Sequence, residues 1–331
     1  MNNVFVIGGG AWGTALAAAA RRAGRDVVLY ARETEVVNAI NAGAPNPIYL
    51  PDVQLPDGLG AVSTIADAAD DCDAVILVVP AQFVRATLKE LAETLSPKVP
   101  IVLAAKGIEQ GTLALMTEIA AEVVPNNPLA VISGPSFAGE VARGVPAAVT
   151  LACADDLLGR RLVNMIAGST FRIYQSNDLI GAEIGGSVKN VLAIACGIVE
   201  GRGLGDNARA ALITRGLAEM MRFGRAKGAT SETMTGLAGM GDLVLTCNAM
   251  QSRNFSFGYA LGQGQSVAEI LASRVAVTEG VTSAVSVTEL AEKLGVDMPI
   301  CQAVNAIIHH NQDIDGAIAS LMDRPLRPES E

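Results

Sequence analysis

Short apolar runs alternate with stretches of helical spacing through the first half of the chain, and helical spacing alone governs the second. Val4 to Ile7, Val27 to Tyr30, Asp73 to Pro80, Val99 to Ala105 and Leu129 to Ile132 read as buried strands. Between them, an Ala-rich run from about Thr14 to Ala23, stopped by Gly24, and Phe83 to Leu95 read as helices. From Asn41 to Gly60 the prolines at 45, 47, 51 and 56 rule out a continuous helix and predict a long loop. Val145 to Ala152 and Phe171 to Tyr174 add two strands with a helix between. Strands alternating with helices predict an α/β fold with a mainly parallel, doubly wound sheet.

After Tyr174 no strand pattern remains, which puts a boundary near Ser176-Asn177-Asp178. The expectation is a doubly wound domain over 1–177 and an all-α domain over 178–331. Leu179 to Val199 is almost wholly apolar or small, and Asn207 to Lys227 is a second long helix. Gly236 to Gly241 breaks the helical pattern and Asp242 to Thr246 resumes it. Ser252-Arg253-Asn254 and Thr278 to Thr282 open further helices, and Val281 to Leu294 and Pro299 to Ile308 have helical spacing.

Half of the residues are hydrophobic but only 4% are aromatic, so the apolar weight lies in Ala, Val, Leu and Ile, as buried parallel strands and close-packed helices require. The net charge of −10, without a dense basic run, excludes nucleic acid as an expected partner; an anionic small ligand would need a few local cations. Cys72, Cys153, Cys196, Cys247 and Cys301 are scattered, so no metal site or disulfide framework is expected and reduced thiols in the cytoplasm are. Met1 leads almost directly into a strand, leaving no room for a signal peptide, and no unbroken apolar run of membrane-spanning length is seen.

Chemistry enters at Gly8, Gly10 and Gly13, a GxGxxG between a strand and a helix with a second strand after it. That context specifies a Rossmann-type dinucleotide turn. The first glycine makes the turn, the second admits a pyrophosphate, and the third lets helix and strand pack, with the helix N-terminus facing the phosphates. At the end of the second strand Arg32 stands where an acid would hold a ribose 2′-hydroxyl, which favours NADP(H); Glu33 beside it keeps NAD(H) open. Lys106 follows a strand at the edge where such sheets bind ligands, placed to meet an anion. Ser136, after Gly134-Pro135, is placed to cap a helix or to bind a phosphate or hydroxyl.

Lys189 is the single charge between Glu183 and Glu200. Holding it charged in an apolar helix is expensive, a cost that is tolerable when the amine works as a proton carrier with a lowered pKa. Asp242, if adjacent, would orient it. His309 and His310 read as a surface helix end, leaving the proton work to lysine.

Together the stretches GGGAWGTALA (8–17), AAKGIE (104–109), ISGPSFAGE (132–140), GGSVKNVLAIACGI (185–198), NARAALITRGLAEM (207–220), GMGDLVLTC (239–247) and QSRNFSFG (251–258) resemble, over the whole chain, the NAD(P)-dependent glycerol-3-phosphate dehydrogenases of the bacterial type, which reduce dihydroxyacetone phosphate. The resemblance implies that Lys189 carries the proton and that Lys106, Gly134, Ser136, Asp242, Ser252, Arg253 and Asn254 meet substrate, with Arg253 and Asn254 on its phosphate. It implies cofactor positions at Ala11, Trp12, Arg32, Lys106, Ala138, Arg253, Val277 and Glu279, beside the turn glycines. Thr278 departs from the family pattern, where a small or apolar residue is expected. The implied cofactor is NAD(P)H with NADPH favoured, the implied substrate a phosphorylated three-carbon ketone, the assembly a homodimer, and the role a supply of glycerol phosphate for phospholipid synthesis. Two other readings stay open: a β-hydroxyacid-type dehydrogenase with an interdomain lysine, and a non-catalytic NAD(P)-sensing module.

Overall fold

The apolar runs of the first half pair edge to edge in one eight-stranded sheet. In a computed structural model, which describes residues 1–274, 276–325 and 328, the order is β1 (Asn3–Ile7), α1 (Ala11–Arg22), β2 (Asp26–Tyr30), α2 (Thr34–Asn41), β3 (Gly60–Val62), α3 (Ala66–Ala69), β4 (Ala74–Leu77), α4 (Val84–Leu91), β5 (Ile101–Leu103), α5 (Met116–Val123), β6 (Leu129–Ser133), α6 (Ala138–Arg143), β7 (Ala147–Cys153), α7 (Asp156–Ile166) and β8 (Phe171–Ser176). Helices follow: α8 (Leu179–Gly201), α9 (Asp206–Lys227), α10 (Ser231–Thr235), α11 (Asp242–Cys247), α12 (Arg253–Gly262), α13 (Val267–Ala272), α14 (Glu279–Lys293), α15 (Pro299–His309) and α16 (Ile314–Met322).

The strand order is β3-β2-β1-β4-β5-β6-β7-β8, parallel except where β7 pairs antiparallel with β6. The chain reverses its winding between β1 and β4, and the carboxyl ends of β1, β4, β5 and β6 share one edge. In open α/β sheets that crevice is where ligands bind. One apolar core fills the face under α1 and α7, and another fills the face under α4 and α5. A third core surrounds α8.

Helix α8 is buried along its length except near its ends, with α9, α11, α12 and α14 packed around it. By length and composition it is apolar enough to cross a membrane, although no such run is expected from the sequence. Its apolar window lies wholly inside the protein, so it is a core helix. Against α12 it packs backbone to backbone. A Cβ on Gly197 would lie 2.0 Å from the Phe255 carbonyl oxygen, and one on Gly258 would lie 2.0 Å from that of Ile194. Gly201 and Gly262 repeat the approach one turn on, so each helix presents a Gly-x-x-x-Gly stripe to the other.

Two expectations need correction. Helix α1 begins at Ala11, not Thr14, because Gly10 has an extended backbone and serves as the N-cap, so Trp12 and Gly13 are already helical. The break expected over Gly236 to Gly241 is confined to Gly236, whose extended backbone ends α10; Leu237–Gly241 form a wide π turn that runs straight into α11. Its glycines let that turn bed against neighbouring backbone; a Cβ on Gly239 would lie 2.0 Å from the Met234 carbonyl oxygen.

Candidate active site

At the switch point the glycine turn is made by main chain. Gly8 has φ +128°, and a Cβ there would lie 2.6 Å from the Val78 carbonyl oxygen at the end of β4. A Cβ on Gly13 would lie 1.8 Å from the Gly8 carbonyl oxygen. Gly10 meets nothing within 4 Å on its open side, and α1 has neither a side-chain cap nor an acid in its first turn. Its free amides and positive end are therefore presented to an anion. The indole Nε1 of Trp12, in the first turn of α1, is buried without a hydrogen-bond partner. Arg32 at the end of β2 is 76% exposed and reaches Glu33 at 3.4 Å. These features fit a dinucleotide, its pyrophosphate on α1 and its ribose at Arg32 and Glu33.

Across the edge stands a four-residue centre drawn from sheet and helices. Lys189 Nζ donates to Asp242 Oδ1 at 2.6 Å and to Thr246 Oγ1 at 2.9 Å. Lys106 Nζ donates to the other carboxylate oxygen, Asp242 Oδ2, at 2.7 Å, and reaches the Gly134 carbonyl at 3.5 Å. Asp242 and Lys189 are buried, whereas Lys106 keeps 17% of its side chain exposed. Burial lowers the Lys189 pKa to about 8; Asp242 opposes the drop and Lys106 adds to it. Two of the three ammonium protons are thus committed, and the third is left for a ligand. Thr246, one turn after Asp242, donates to the Asp242 carbonyl at 2.6 Å, so its lone pair faces Lys189. Sequence reasoning missed Thr246, although the i+4 spacing from Asp242 was a usable signal.

The sheet side of this centre is the β6 end. A Cβ on Gly186, one turn before Lys189, would lie 3.0 Å from Ser133 Oγ and 3.2 Å from Lys106 Cγ. The buried Ser133 hydroxyl has no partner. Gly134, at φ +145°, passes over Val149, and Ser136 Oγ donates to the Gly134 carbonyl at 3.1 Å. Ala138 opens α6, which packs on α1.

Ser252, Arg253 and Asn254 sit at the head of α12. The Ser252 hydroxyl caps the helix by accepting from Phe255 N at 3.2 Å. Arg253 is exposed and donates to the Val277 carbonyl at 2.9 Å. Asn254 is buried and engaged on both sides: Nδ2 donates to Asn190 Oδ1 at 2.8 Å, and Oδ1 accepts from Gly280 N at 2.9 Å. It therefore ties α8 to the head of α14 and offers a ligand only its remaining N–H. Arg274 was not foreseen; it donates to the Arg253 carbonyl at 2.6 Å and brings a second guanidinium to this end. Glu279 lies 3.7 Å from a Cβ placed on Gly107, so α14 meets the sheet edge beside Lys106. Burial raises its carboxyl to about 7, against the pull of Arg253. The Thr278 hydroxyl is buried without a partner. His309 lies at the far end of α15, exposed, with Nε2 2.8 Å from the Val281 carbonyl. Among the described residues no group of three or more His, Cys, Asp or Glu could hold a metal.

Fold and turn together define an α/β dinucleotide-binding protein of the dehydrogenase type. Residues 3–158 match the model of the NAD-dependent glycerol-3-phosphate dehydrogenase N-terminus, and residues 178–319 match that of its C-terminus. A glycerol-3-phosphate dehydrogenase [NAD(P)+] of Caulobacter vibrioides is 58% identical over 99% of this chain and 98% of its own length. One from Rhodospirillum rubrum is 55% identical over 99% and 94%. The crystal structure of the Coxiella burnetii glycerol-3-phosphate dehydrogenase superposes with a TM-score of 0.94 at 40% identity, covering 98% of this chain and 99% of that one. The chain belongs to the NAD-dependent glycerol-3-phosphate dehydrogenase family.

Proposed function

We propose that this protein reversibly reduces dihydroxyacetone phosphate to sn-glycerol 3-phosphate with NAD(P)H, supplying glycerol phosphate for phospholipid synthesis. The observation that carries the reading is the buried Lys189 held on Asp242, with Lys106 on the same carboxylate. The bound dinucleotide would supply or accept the hydride at C2. In reduction, the free N–H of Lys189 points its proton at the ketone oxygen and its charge stabilises the alkoxide that forms. Asp242 and Thr246 hold the amine in place, and Asp242 keeps it charged at neutral pH. Lys106 lends a second positive charge on the sheet side. Arg253, at the head of α12, is placed to take the phosphate in a forked contact, assisted by the remaining N–H of Asn254. Gly134, Ser136 and Ser252 complete the substrate side in this reading.

On the cofactor side we assign Gly8, Gly10, Ala11, Trp12 and Gly13 to the pyrophosphate turn and Arg32 to the adenosine ribose, with NADPH favoured. Lys106, Ala138, Arg253, Val277 and Glu279 line its nicotinamide half. We read 1–177 as the dinucleotide-binding domain and 178–331 as the helical substrate domain, supported by the passage from β8 to helices alone. A cytoplasmic homodimer completes the reading.

The test is a screen by nicotinamide absorbance of dihydroxyacetone phosphate against small keto acids, with NADH and with NADPH. Turnover confined to the phosphate ester is expected. Faster turnover of keto acids would return the β-hydroxyacid reading, and binding of dinucleotide with no hydride transfer would make the protein a sensor.

A further inference from the structure

The loop between α2 and β3 is tied to both ends of the adenosine half of the dinucleotide site. Asn46 is fully buried there. Its Nδ2 donates to the Gly9 carbonyl at 2.8 Å and to Thr14 Oγ1 at 2.9 Å, fastening the loop to the glycine turn. Its Oδ1 accepts from Ile48 N at 3.3 Å and Tyr49 N at 3.1 Å, and its carbonyl accepts from Leu50 N at 3.1 Å. Tyr49 is thereby fixed in place, and its phenolic hydroxyl reaches Glu33 Oε1 at 3.4 Å. Arg32 Nη2 reaches the same oxygen, also at 3.4 Å. One carboxylate oxygen is shared, loosely, by a cation and a phenol.

We propose that Tyr49 is a positioning residue that sets the choice between NADPH and NADH by holding the Glu33 carboxylate when Arg32 leaves it for a 2′-phosphate. The two nucleotides ask opposite things of Glu33. A 2′-hydroxyl gains an acceptor from it, whereas a 2′-phosphate is repelled by it. Arg32 must turn from Glu33 to grip that phosphate, which strips the carboxylate of its cation at the moment a second anion arrives. Tyr49 keeps one donor on Oε1 and holds the acid back toward the loop. Contacts of 3.4 Å are long for a hydrogen bond, so the exchange of partners loses little. Asn46 makes the arrangement rigid, because the residue that seats Tyr49 also holds Gly9.

The inference rests on the dinucleotide reading above but not on turnover. Trp12 is the sole tryptophan and stands at the turn, so its fluorescence reports dinucleotide binding directly. Tyr49→Phe keeps the ring and removes only the hydroxyl. Titrations of wild type, Tyr49→Phe, Glu33→Gln and the double variant with NADPH and NADH give the affinity ratio. We expect Tyr49→Phe to lower the NADPH preference by about threefold or more, the loss of one hydrogen bond to a charged group. Glu33→Gln should raise the preference, and Tyr49→Phe should change nothing further in that background. An unchanged ratio, an equal loss for both nucleotides, or an effect that persists with Glu33→Gln would each overturn the proposal. Ratios that shift as expected in a protein without hydride transfer would instead refute the reaction and leave this inference standing.

Discussion

The glycine turn and the lysine–aspartate centre face each other across one sheet edge, yet they are built by different means. The turn is main chain: its geometry follows from absent side chains at positions 8, 10 and 13, all within one βα unit. The centre is side chain: Lys106, Lys189 and Asp242 come from three distant stretches and meet only when α8 and α11 are packed against β5 and β6. The first is written in local spacing and is insensitive to pH. The second depends on burial, which makes it tunable and costly. In the proposed reading, a site that must grip a constant pyrophosphate is made of backbone, and a site that must hold and release a proton is made of titratable groups in a low-dielectric seam.

The sharpest way to break this contrast is Lys189→Ala. It should lower turnover by roughly two to four powers of ten while Trp12 fluorescence shows dinucleotide affinity nearly intact. Comparable loss of affinity would mean that the two regions are not separable. Gly13→Ala should do the reverse, since its methyl has no room against the Gly8 carbonyl. A stability loss of about 1–3 kcal/mol, read by denaturant melting, should accompany weaker dinucleotide binding.

The pH profile sharpens the contrast further. With Lys189 near 8, reduction needs the ammonium and should fall about tenfold per unit above that pH, whereas oxidation needs the free amine and should rise up to it. Asp242→Asn removes the charge that opposes desolvation and should move both limbs downward; limbs that stay put would take Asp242 out of this role.

The smallest effect is expected at Glu183, a buried acid of α8 that titrates but does no chemistry. It accepts from Thr117 N at 2.8 Å and Thr117 Oγ1 at 2.6 Å, and burial raises it to about 7. Its unfolded value lies below that, so its contribution to stability is full at acid pH and is lost as pH rises through 7. Glu183→Gln keeps an acceptor for Thr117 N, donates to Thr117 Oγ1 instead of accepting from it, and should be more stable than wild type at pH 8, with the gain gone at pH 4. A gain independent of pH would point to packing instead.

Much of the fold was legible because its strands are continuous apolar runs bounded by turns, and the GxGxxG sits in its proper context. Lys189 stood out as a lone charge in an apolar helix, and its burial follows from the same pattern. What could not be read was side-chain direction. Asn254 was expected beside a phosphate, yet its amide is turned mostly inward to Asn190 and Gly280, because burying the head of α14 leaves a main-chain N–H that needs an acceptor. Nor could the glycines of 236–241 announce a π turn, since the same residues also end helices; only their bed against neighbouring backbone decides. Asn46 and Tyr49 lie in a proline-rich loop with no periodicity, so nothing local pointed to their long-range partners.

The paired glycine stripes of α8 and α12 have one more consequence. With no side chains between them, the two helices cannot slide or splay, and Lys189 near the middle of one is locked in register with Arg253 at the head of the other. If Lys189 is the proton donor and Arg253 the anion clamp, as proposed, the two act as the jaws of a caliper whose opening is set by main-chain contact. In the proposed reading such a tool measures a molecule from its carbonyl to its phosphate, and a chain one carbon longer would overrun it.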